Sequence, residues 1–271
     1  HVTTSLGGVG RNIAHNLCLL GQHTAMVTVM GDDDFGRRVQ ENAKDIGLDL
    51  SASAVLPDCR TGTYLYICGP DGDMALAVND MAVYDRMTPD FLRQRLDFIN
   101  GADLVVLETN LPEESIRWLC DNCRAPILAD PVSTIKAEKL RPVLGKLAAL
   151  KHNRLEAELL SGISIRTRED AAQAARKLLD TGLGTVYISL GAEGIYAADR
   201  SGDTAWVPCA RCTVANATGG GDAVAARMVR GDSLAETARW AVGAGALACE
   251  AETTINPAMS WDNIETILNR R

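Results

Sequence analysis

The sequence contains no long hydrophobic run and no surplus of positive charge. No apolar stretch approaches the roughly 18 residues of a membrane-spanning helix, and the first residues lack the pattern of a signal peptide. The net charge of -8 argues against a nucleic-acid backbone or an anionic membrane surface as the main partner. Linkers, internal repeats and low-complexity segments are also missing. These features predict a cytoplasmic protein that acts on small molecules.

The eight cysteines do not form an evident disulfide or metal framework. Cys120 and Cys123, and likewise Cys209 and Cys212, have the CxxC spacing found in zinc and redox sites. The two pairs are far apart in the sequence, and the first pair lies at a predicted helix end. Reduced cytosolic thiols are the better interpretation, and a metal site is the alternative.

Short apolar runs alternate with amphipathic helical patterns, which indicates an α/β protein with a largely parallel sheet. A helix is predicted where Ile13, Leu17 and Leu20 recur at helical spacing before Gly21, a plausible capping glycine. Further predicted elements are the alanine-rich helices 168–179 and 234–250 and the strands 25–30, 104–107, 127–129, 186–190 and 195–198.

One region, 61–80, interrupts this alternation. Its sequence, TGTYLYICGPDGDMALAVND, has two β-rich runs around Pro70-Asp71-Gly72, which predicts a hairpin. The hairpin is either a flap or dimerising sheet over an active site, or a plain edge hairpin.

Three consecutive glycines precede a predicted helix in the stretch NATGGGDAVAARM, at 216–228. A helix N-terminus exposes unpaired N–H groups with a partial positive charge, and glycines let the backbone approach an anion closely. Gly219, Gly220 and Gly221 therefore favour an anion site, in which Asp222 is placed to deprotonate a hydroxyl that attacks a phosphate. The alternative is a glycine-rich turn with Asp222 as an ordinary cap. The stretch matches neither a Walker A loop nor a dinucleotide fingerprint.

Three more clusters lie at predicted turns or helix starts. GGVGRN, at 7–12, precedes a helix in which Asn12 is suited to bind sugar hydroxyls; a capped helix with polar surface residues is the alternative. In KHNRLEAELLSG, at 151–162, Asn153 and Glu156 suit either a hydrated Mg²⁺ or a helix capping box. SLGAEG, at 189–194, predicts a tight turn between two strands.

Taken in order, the four clusters resemble the motifs of the ribokinase-like, PfkB-type carbohydrate kinase family. Those motifs are GG-xxx-N, NxxE, SLGxxG and a final D-T-x-G-A-G-D, which reads NATGGGD here. Segments such as GGVGRNIAHNL, LAVNDM and ADPVS look like those of the pseudouridine kinase subgroup. The resemblance implies a three-layer α/β/α fold with a mostly parallel central sheet. It also implies a kinase domain formed by 1–60 and 81–271, with 61–80 as a small β lid that often mediates homodimers.

The resemblance further implies ATP-dependent phosphorylation of a primary (5′) hydroxyl, that of pseudouridine first, with ATP and Mg²⁺ as cofactors. Asp222 would be the catalytic base, and Gly219, Gly220 and Gly221 would form the anion hole. The other implied ligands are Gly8, Asn12, Asn79 and Asn110 for the substrate, Asn153, Glu156, Ser189, Gly191 and Gly194 for ATP and magnesium, and Asn216 and Thr218 for a K⁺ ion.

Three features depart from the family pattern. Relatives have a first strand with a sugar-binding aspartate before the GG motif, so we expect the substrate site read from this sequence to be incomplete, and we expect a short helix after Asp222. Gly220 and Asn216 replace an alanine and an aspartate, and the second change removes a charge from the cation site. A kinase for another sugar or nucleoside, and a nucleoside-binding protein without catalysis, are the alternatives.

Overall fold

The chain folds into a central β-sheet with helices on both faces, as a computed structural model shows for residues 4–68, 74–212, 221–251 and 253–270. The strands are β1 (Val29–Gly31), β2 (Ala54–Leu56), β3 (Thr63–Cys68), β4 (Met74–Asp80), β5 (Val105–Glu108), β6 (Ile127–Asp130), β7 (Ala149–Asn153), β8 (Thr185–Ser189), β9 (Ile195–Asp199) and β10 (Thr204–Val207). The α-helices are α1 (Val9–Leu19), α2 (Asp34–Ile46), α3 (Pro89–Arg93), α4 (Leu96–Asn100), α5 (Glu113–Asn122), α6 (Thr134–Ala137), α7 (Arg154–Ser161), α8 (Arg168–Leu179), α9 (Gly221–Arg230), α10 (Leu234–Cys249) and α11 (Trp261–Leu268). Short 3₁₀ helices cover Ala82–Arg86, Glu138–Lys146 and Gly191–Glu193.

The central sheet has the strand order β10-β9-β8-β7-β6-β5. Strands β5 to β8 are parallel, and β9 and β10 add antiparallel neighbours at one edge. The register pairs Glu108 with Asp130, and Asn153 with Ser189. The last residues of neighbouring parallel strands therefore lie side by side.

Successive residues of these strands pack into two different cores, one on each face of the sheet. Ile127 and Ala129 of β6 join the core formed with α5, α7 and α8, whereas Leu128 joins the core formed with α1, α9 and α10. In β8, Val186 and Tyr187 divide between the two cores in the same way. This period of two shows that both faces are covered by helices. The predicted three-layer α/β/α fold with a mostly parallel sheet is confirmed.

Most of the predicted regular elements are present, with ends that differ by at most one residue. The helix predicted at 168–179 is α8, and the one predicted at 234–250 is α10. Gly21 follows α1 with φ 75°, as expected of a capping glycine. The predicted strands 104–107, 127–129, 186–190 and 195–198 correspond to β5, β6, β8 and β9. In the described part of the chain, no helix is long and apolar enough to cross a membrane.

The strand predicted at 25–30 is shorter than expected, because a side chain replaces part of its backbone pairing. The strand β1 begins only at Val29. The Ser53 hydroxyl donates to the Met26 carbonyl at 2.6 Å and accepts from the Thr28 N–H at 3.1 Å. These bonds satisfy backbone groups that a regular strand would pair with another strand.

Strands β3 and β4 form an antiparallel pair outside the central sheet. Leu65 lies opposite Val78, and Ile67 lies opposite Leu76, so the four side chains share one face of the pair. Each of these side chains is more than half exposed. The residues 69–73 between the two strands lie outside the described part of the chain.

One arginine of helix α9 contacts two later helices. Arg227 is 6% exposed, and its guanidinium lies 3.7 Å from the ring centroid of Trp240 on α10 and 4.3 Å from that of Trp261 on α11. Its Nη1 also donates to the Asp232 carboxylate at 2.8 Å. Stacking and charge together hold α9 in one orientation.

Candidate active site

Four neighbouring strands end in polar residues on the side of the sheet where the carboxyl ends of its parallel strands lie. β5 ends at Glu108, β6 at Asp130, β7 at Asn153 and β8 at Ser189. Because the strands are parallel, these ends lie together. In open α/β sheets, ligands bind at the carboxyl ends of the strands. We call this group of strand ends the strand-end site.

Helix α1 brings its glycine-rich N-terminus to the Glu108 end of this site. Gly8 precedes the helix with φ 96°, and its carbonyl accepts from the Asn12 N–H at 2.9 Å. A Cβ on Gly10 would lie 3.3 Å from Glu108 Cγ, so the absent side chain permits the close approach of helix and strand. The first turn of α1, which includes Asn12, therefore borders the strand-end site.

Glu108 is part of a network with an amide and an ammonium group. Its carboxylate accepts from the Asn110 backbone N–H at 3.2 Å and from the Asn110 side-chain amide. The Asn110 amide oxygen in turn accepts from Lys136 Nζ. Burial raises the pKa of Glu108 to about 7, against the opposing effects of the Asn110 bonds and the Lys136 charge. Both ends of the Asn110 amide are thus engaged, and they hold Glu108 and Lys136 at the site.

Two carboxylates and one ammonium group gather where β6 and β7 end. Lys151 Nζ lies 3.6 Å from an Asp130 carboxylate oxygen. The Asn153 N–H donates to Glu156 Oε2 at 2.8 Å, and the Glu156 N–H donates to Asn153 Oδ1 at 3.0 Å. Burial raises the pKa of Glu156, and the Asp130 carboxylate adds to that shift. Of the two interpretations of Asn153 and Glu156, the capping box is present in the structure.

The SLGAEG turn adjoins this group directly. Ser189 pairs with Asn153 in the register of β8 and β7. In the same turn Glu193 forms an ion pair with Arg154, the first residue of α7. Gly191 and Gly194 both have positive φ, at 61° and 95°. The structure therefore brings the NxxE and SLGxxG motifs together, although they lie 30 or more residues apart in the sequence.

The base of the β3–β4 hairpin lies at the Glu108 end. The Thr61 N–H and hydroxyl donate to the Asp33 carboxylate at 2.8 and 2.6 Å. A Cβ on Gly62 would lie 3.1 Å from Tyr84 Cε2. Burial raises the pKa of the Tyr84 hydroxyl, and the nearby Glu108 carboxylate adds to the shift. The first residues of the hairpin thus pack on Tyr84, whose hydroxyl is affected by the Glu108 charge.

The remaining predicted site residues are placed less fully. Asn79 is exposed on β4, opposite Tyr64. The backbone of Gly221 and Asp222 forms the first turn of α9, which packs against α1, and the Asp222 side chain lies outside the described part of the structure. The positions of Asn216, Thr218, Gly219 and Gly220 also lie outside it.

Comparison with known proteins decides the family. The pfkB family of carbohydrate kinases matches residues 1–261, which is most of the chain. The chain belongs to the pfkB carbohydrate kinase family. It is 37% identical to the pseudouridine kinase of Escherichia coli over 97% of this chain and 85% of that protein. It is 32% identical to the uncharacterized sugar kinase YeiI of the same organism over 96% and 73%.

The fold of this pfkB family kinase is that of ribokinase. The structure of Arabidopsis thaliana ribokinase superposes with a TM-score of 0.85 over 98% of this chain and 88% of that one, at 22% identity. That structure was determined with ribose and ATP.

The strand-end site of the kinase offers carboxylate oxygens, which are donors of the kind that suit magnesium. Among the described residues, no three carboxylate, thiol or imidazole groups converge as direct metal ligands. Asp130 and Glu156 instead provide carboxylate oxygens beside one lysine, Lys151. Such a set suits Mg²⁺, which keeps several waters and takes phosphate oxygens as further ligands. The described thiols of both CxxC pairs are free.

Sequence patterns alone did not single out Glu108, Asp130, Lys136 or Lys151 as site residues. The signal for the first two was available, since VVLE and ILAD each end an apolar strand with a carboxylate. For Lys136 no local signal exists, because its partner Asn110 is 26 residues away.

Proposed function

We propose that the protein is an ATP-dependent kinase that phosphorylates the primary (5′) hydroxyl of a nucleoside or sugar, with pseudouridine as the preferred acceptor. The observation that carries the choice of acceptor is the 37% identity to Escherichia coli pseudouridine kinase over 97% of the chain. Membership of the pfkB family supports phosphoryl transfer to an alcohol in general.

The acceptor is proposed to bind where α1 meets the end of β5. Gly8 and Asn12 would contact its hydroxyls, with Asn110 held nearby in the Glu108 network. Asn79 would contact the base from the hairpin. The hairpin would close as a lid and exclude water, so that ATP is not hydrolysed. The packing of Gly62, at the start of the hairpin, against Tyr84 supports this role, because the Tyr84 hydroxyl is affected by the Glu108 carboxylate of the proposed acceptor site.

Catalysis is proposed to depend on the first turn of α9. Asp222 would accept the proton of the attacking hydroxyl, as a carboxylate does in phosphoryl transfer. The backbone N–H groups of Gly219, Gly220 and Gly221 would stabilise negative charge on the transferring phosphoryl group. The position of Asp222 in the first turn of a ten-residue helix supports this proposal, because N–H groups are unpaired there.

The nucleotide is proposed to lie along the ends of β7 and β8. Asn153 and Glu156, with Asp130, would hold the waters of Mg²⁺, and Lys151 would balance their charge. Ser189, Gly191 and Gly194 would line the nucleotide site. ATP supplies the phosphoryl group and Mg²⁺ neutralises its oxygens when both are bound. A K⁺ ion at Asn216 and Thr218 stays a prediction.

A homodimer through the hairpin is also proposed. The face formed by Leu65, Ile67, Leu76 and Val78 is apolar and exposed, which is unusual for a surface without a partner. Sedimentation of the wild-type chain and of Ile67→Asp tests this. We expect a dimer that the substitution dissociates, and a wild-type monomer at micromolar concentration would contradict it.

Release of ADP in a coupled assay tests the proposed activity. Pseudouridine, ribose, adenosine and fructose are compared as acceptors, and the position of the new phosphate is read by NMR. We expect the highest kcat/KM with pseudouridine and a 5′-phosphate product. Turnover of another acceptor alone would reject the pseudouridine assignment. Binding of a nucleoside by calorimetry without ADP formation would reject catalysis.

A further inference from the structure

Arg11, the residue before Asn12, is nearly buried and is bonded in three directions. It is 7% exposed. Its Nη1 donates to Asn12 Oδ1 at 3.2 Å and reaches the Leu6 carbonyl at 3.5 Å, and its Nη2 donates to Asn42 Oδ1 on α2 at 2.9 Å. A guanidinium is planar and rigid, so the bond to Asn42 also fixes the direction of Nη1. Arg11 therefore clamps the Asn12 side chain to the neighbouring helix.

The clamp decides which end of the Asn12 amide is offered to a ligand. An arginine side chain donates hydrogen bonds and has no acceptor. The Asn12 atom that faces Arg11 must therefore be the amide oxygen. An amide turned the other way would place its NH₂ group against the N–H groups of the Arg11 guanidinium. Asn12 Nδ2, with its two donors, is left on the other side of the amide. Without Arg11 nothing in this contact would favour one orientation.

We propose that Arg11 is a positioning residue that fixes the polarity of Asn12, so that Asn12 donates a hydrogen bond to an oxygen of the acceptor substrate. The inference rests on the proposed function, in which Asn12 binds an acceptor hydroxyl. The substrate group at Asn12 must then present a lone pair, as a hydroxyl or carbonyl oxygen does. Arg11 itself does not touch the substrate.

A double-mutant cycle tests whether Arg11 acts through Asn12. The variants are Arg11→Met, Asn12→Ala and their combination, with KM and kcat measured for the nucleoside and KM for ATP. We expect Arg11→Met to raise the nucleoside KM about tenfold, the scale of one lost hydrogen bond, with a smaller change in kcat. In the Asn12→Ala background the same substitution is expected to change KM less than about twofold, because the two residues act as one unit.

Two further variants test the polarity of Asn12 and keep the inference testable if Arg11→Met does not fold. Asn12→Asp keeps a partner for Arg11 but replaces the donor by an acceptor, and we expect it to raise KM as Asn12→Ala does. Asn42→Ala removes the far end of the clamp at a half-buried position and keeps Arg11 itself, and we expect a KM increase of about threefold that also vanishes in the Asn12→Ala background. Arg95→Met is the matched control. Arg95 is a partly buried arginine that donates to the Ala52 and Phe91 carbonyls, and its loss should leave the nucleoside KM unchanged.

The outcomes separate the inference from the proposed function. If Arg11→Met raises the nucleoside KM by the same factor in the wild-type and Asn12→Ala backgrounds, Arg11 has a general structural role. That result would overturn the inference alone. Wild-type nucleoside affinity in Asn12→Asp would overturn the donor polarity. Absence of ADP formation by the wild-type chain with every acceptor would overturn the proposed function and the inference with it.

Discussion

Gly194 and Gly191 lie in the same turn, but the structure predicts very different costs for an alanine at each. Gly194 has φ 95° and ψ -141°, and a Cβ there would lie 1.9 Å from the Val207 carbonyl oxygen and 2.7 Å from the Cys209 nitrogen. Both neighbours are backbone atoms of the chain around the end of β10, so neither can turn aside. Gly191 has φ 61°, and a Cβ there would meet no atom within 4 Å.

The expected magnitudes follow from strain and overlap. For Gly194→Ala, backbone strain of about 1–3 kcal/mol adds to an overpacking cost of about 1–3 kcal/mol, a loss of about 2–6 kcal/mol in the free energy of unfolding. Gly191→Ala has only the left-handed penalty of about 1–2 kcal/mol. At about 2–4 °C per kcal/mol for a chain of this size, Tm should fall by roughly 4–24 °C and roughly 2–8 °C respectively.

Urea and thermal unfolding of the two variants measure this difference, with wild-type protein unfolded in parallel. We expect Gly194→Ala to unfold at a clearly lower urea midpoint than Gly191→Ala. The reasoning is refuted if Gly191→Ala is the less stable of the two, or if Gly194→Ala unfolds like the wild type. In either case the close approach of the turn to β10 does not constrain position 194.

Three other substitutions test separate parts of the structure. Asp222→Asn should lower kcat by at least about 10³-fold while ATP still binds, and near-normal turnover would remove Asp222 from the mechanism. The pKa of Glu108 is raised from its ordinary 4.5 to about 7, so the folded state favours the protonated carboxyl. The stability that this carboxyl contributes is fully present below about pH 4.5 and is lost as pH rises through about 7. Glu108→Gln should therefore gain in Tm relative to wild type between about pH 5 and about pH 8, and a constant difference would contradict the shifted pKa. Asp33→Ala removes the acceptor of the Thr61 N–H and hydroxyl and of the Gly36 N–H, which should lower the free energy of unfolding by about 1–3 kcal/mol and raise the KM of the acceptor. Unchanged unfolding would show that this carboxylate does not hold the hairpin base.

The features predicted correctly from the sequence are those set by residues close to one another. Helix α8 begins and ends where its pattern does, and the capping box of Asn153 and Glu156 needs only three residues of spacing. Strands β5, β6, β8 and β9 of the central sheet were predicted because an apolar run bounded by turn residues is a local signal.

The features that were missed depend on which strands and helices become neighbours. The Lys136 contact with Asn110 spans 26 residues, and the Arg11 contact with Asn42 spans 31. The need for glycine at position 194 comes from the chain near β10, which lies alongside only after folding. The shortening of the first predicted strand has the same origin, since Ser53 reaches it from 25 residues away at Thr28. Spacing in a single sequence contains no information about such distant partners.

The stacked arginine of α9 also gives the protein a natural optical probe. Two of the four tryptophans, Trp240 and Trp261, contact the Arg227 guanidinium, five residues after Asp222 on the same helix. Indole emission is sensitive to an adjacent charge, so any shift of α9 relative to α10 and α11 changes the fluorescence of the unlabelled protein. A ligand that shifts α9, whose first turn contains Asp222, can therefore be detected in stopped-flow experiments without introducing a dye.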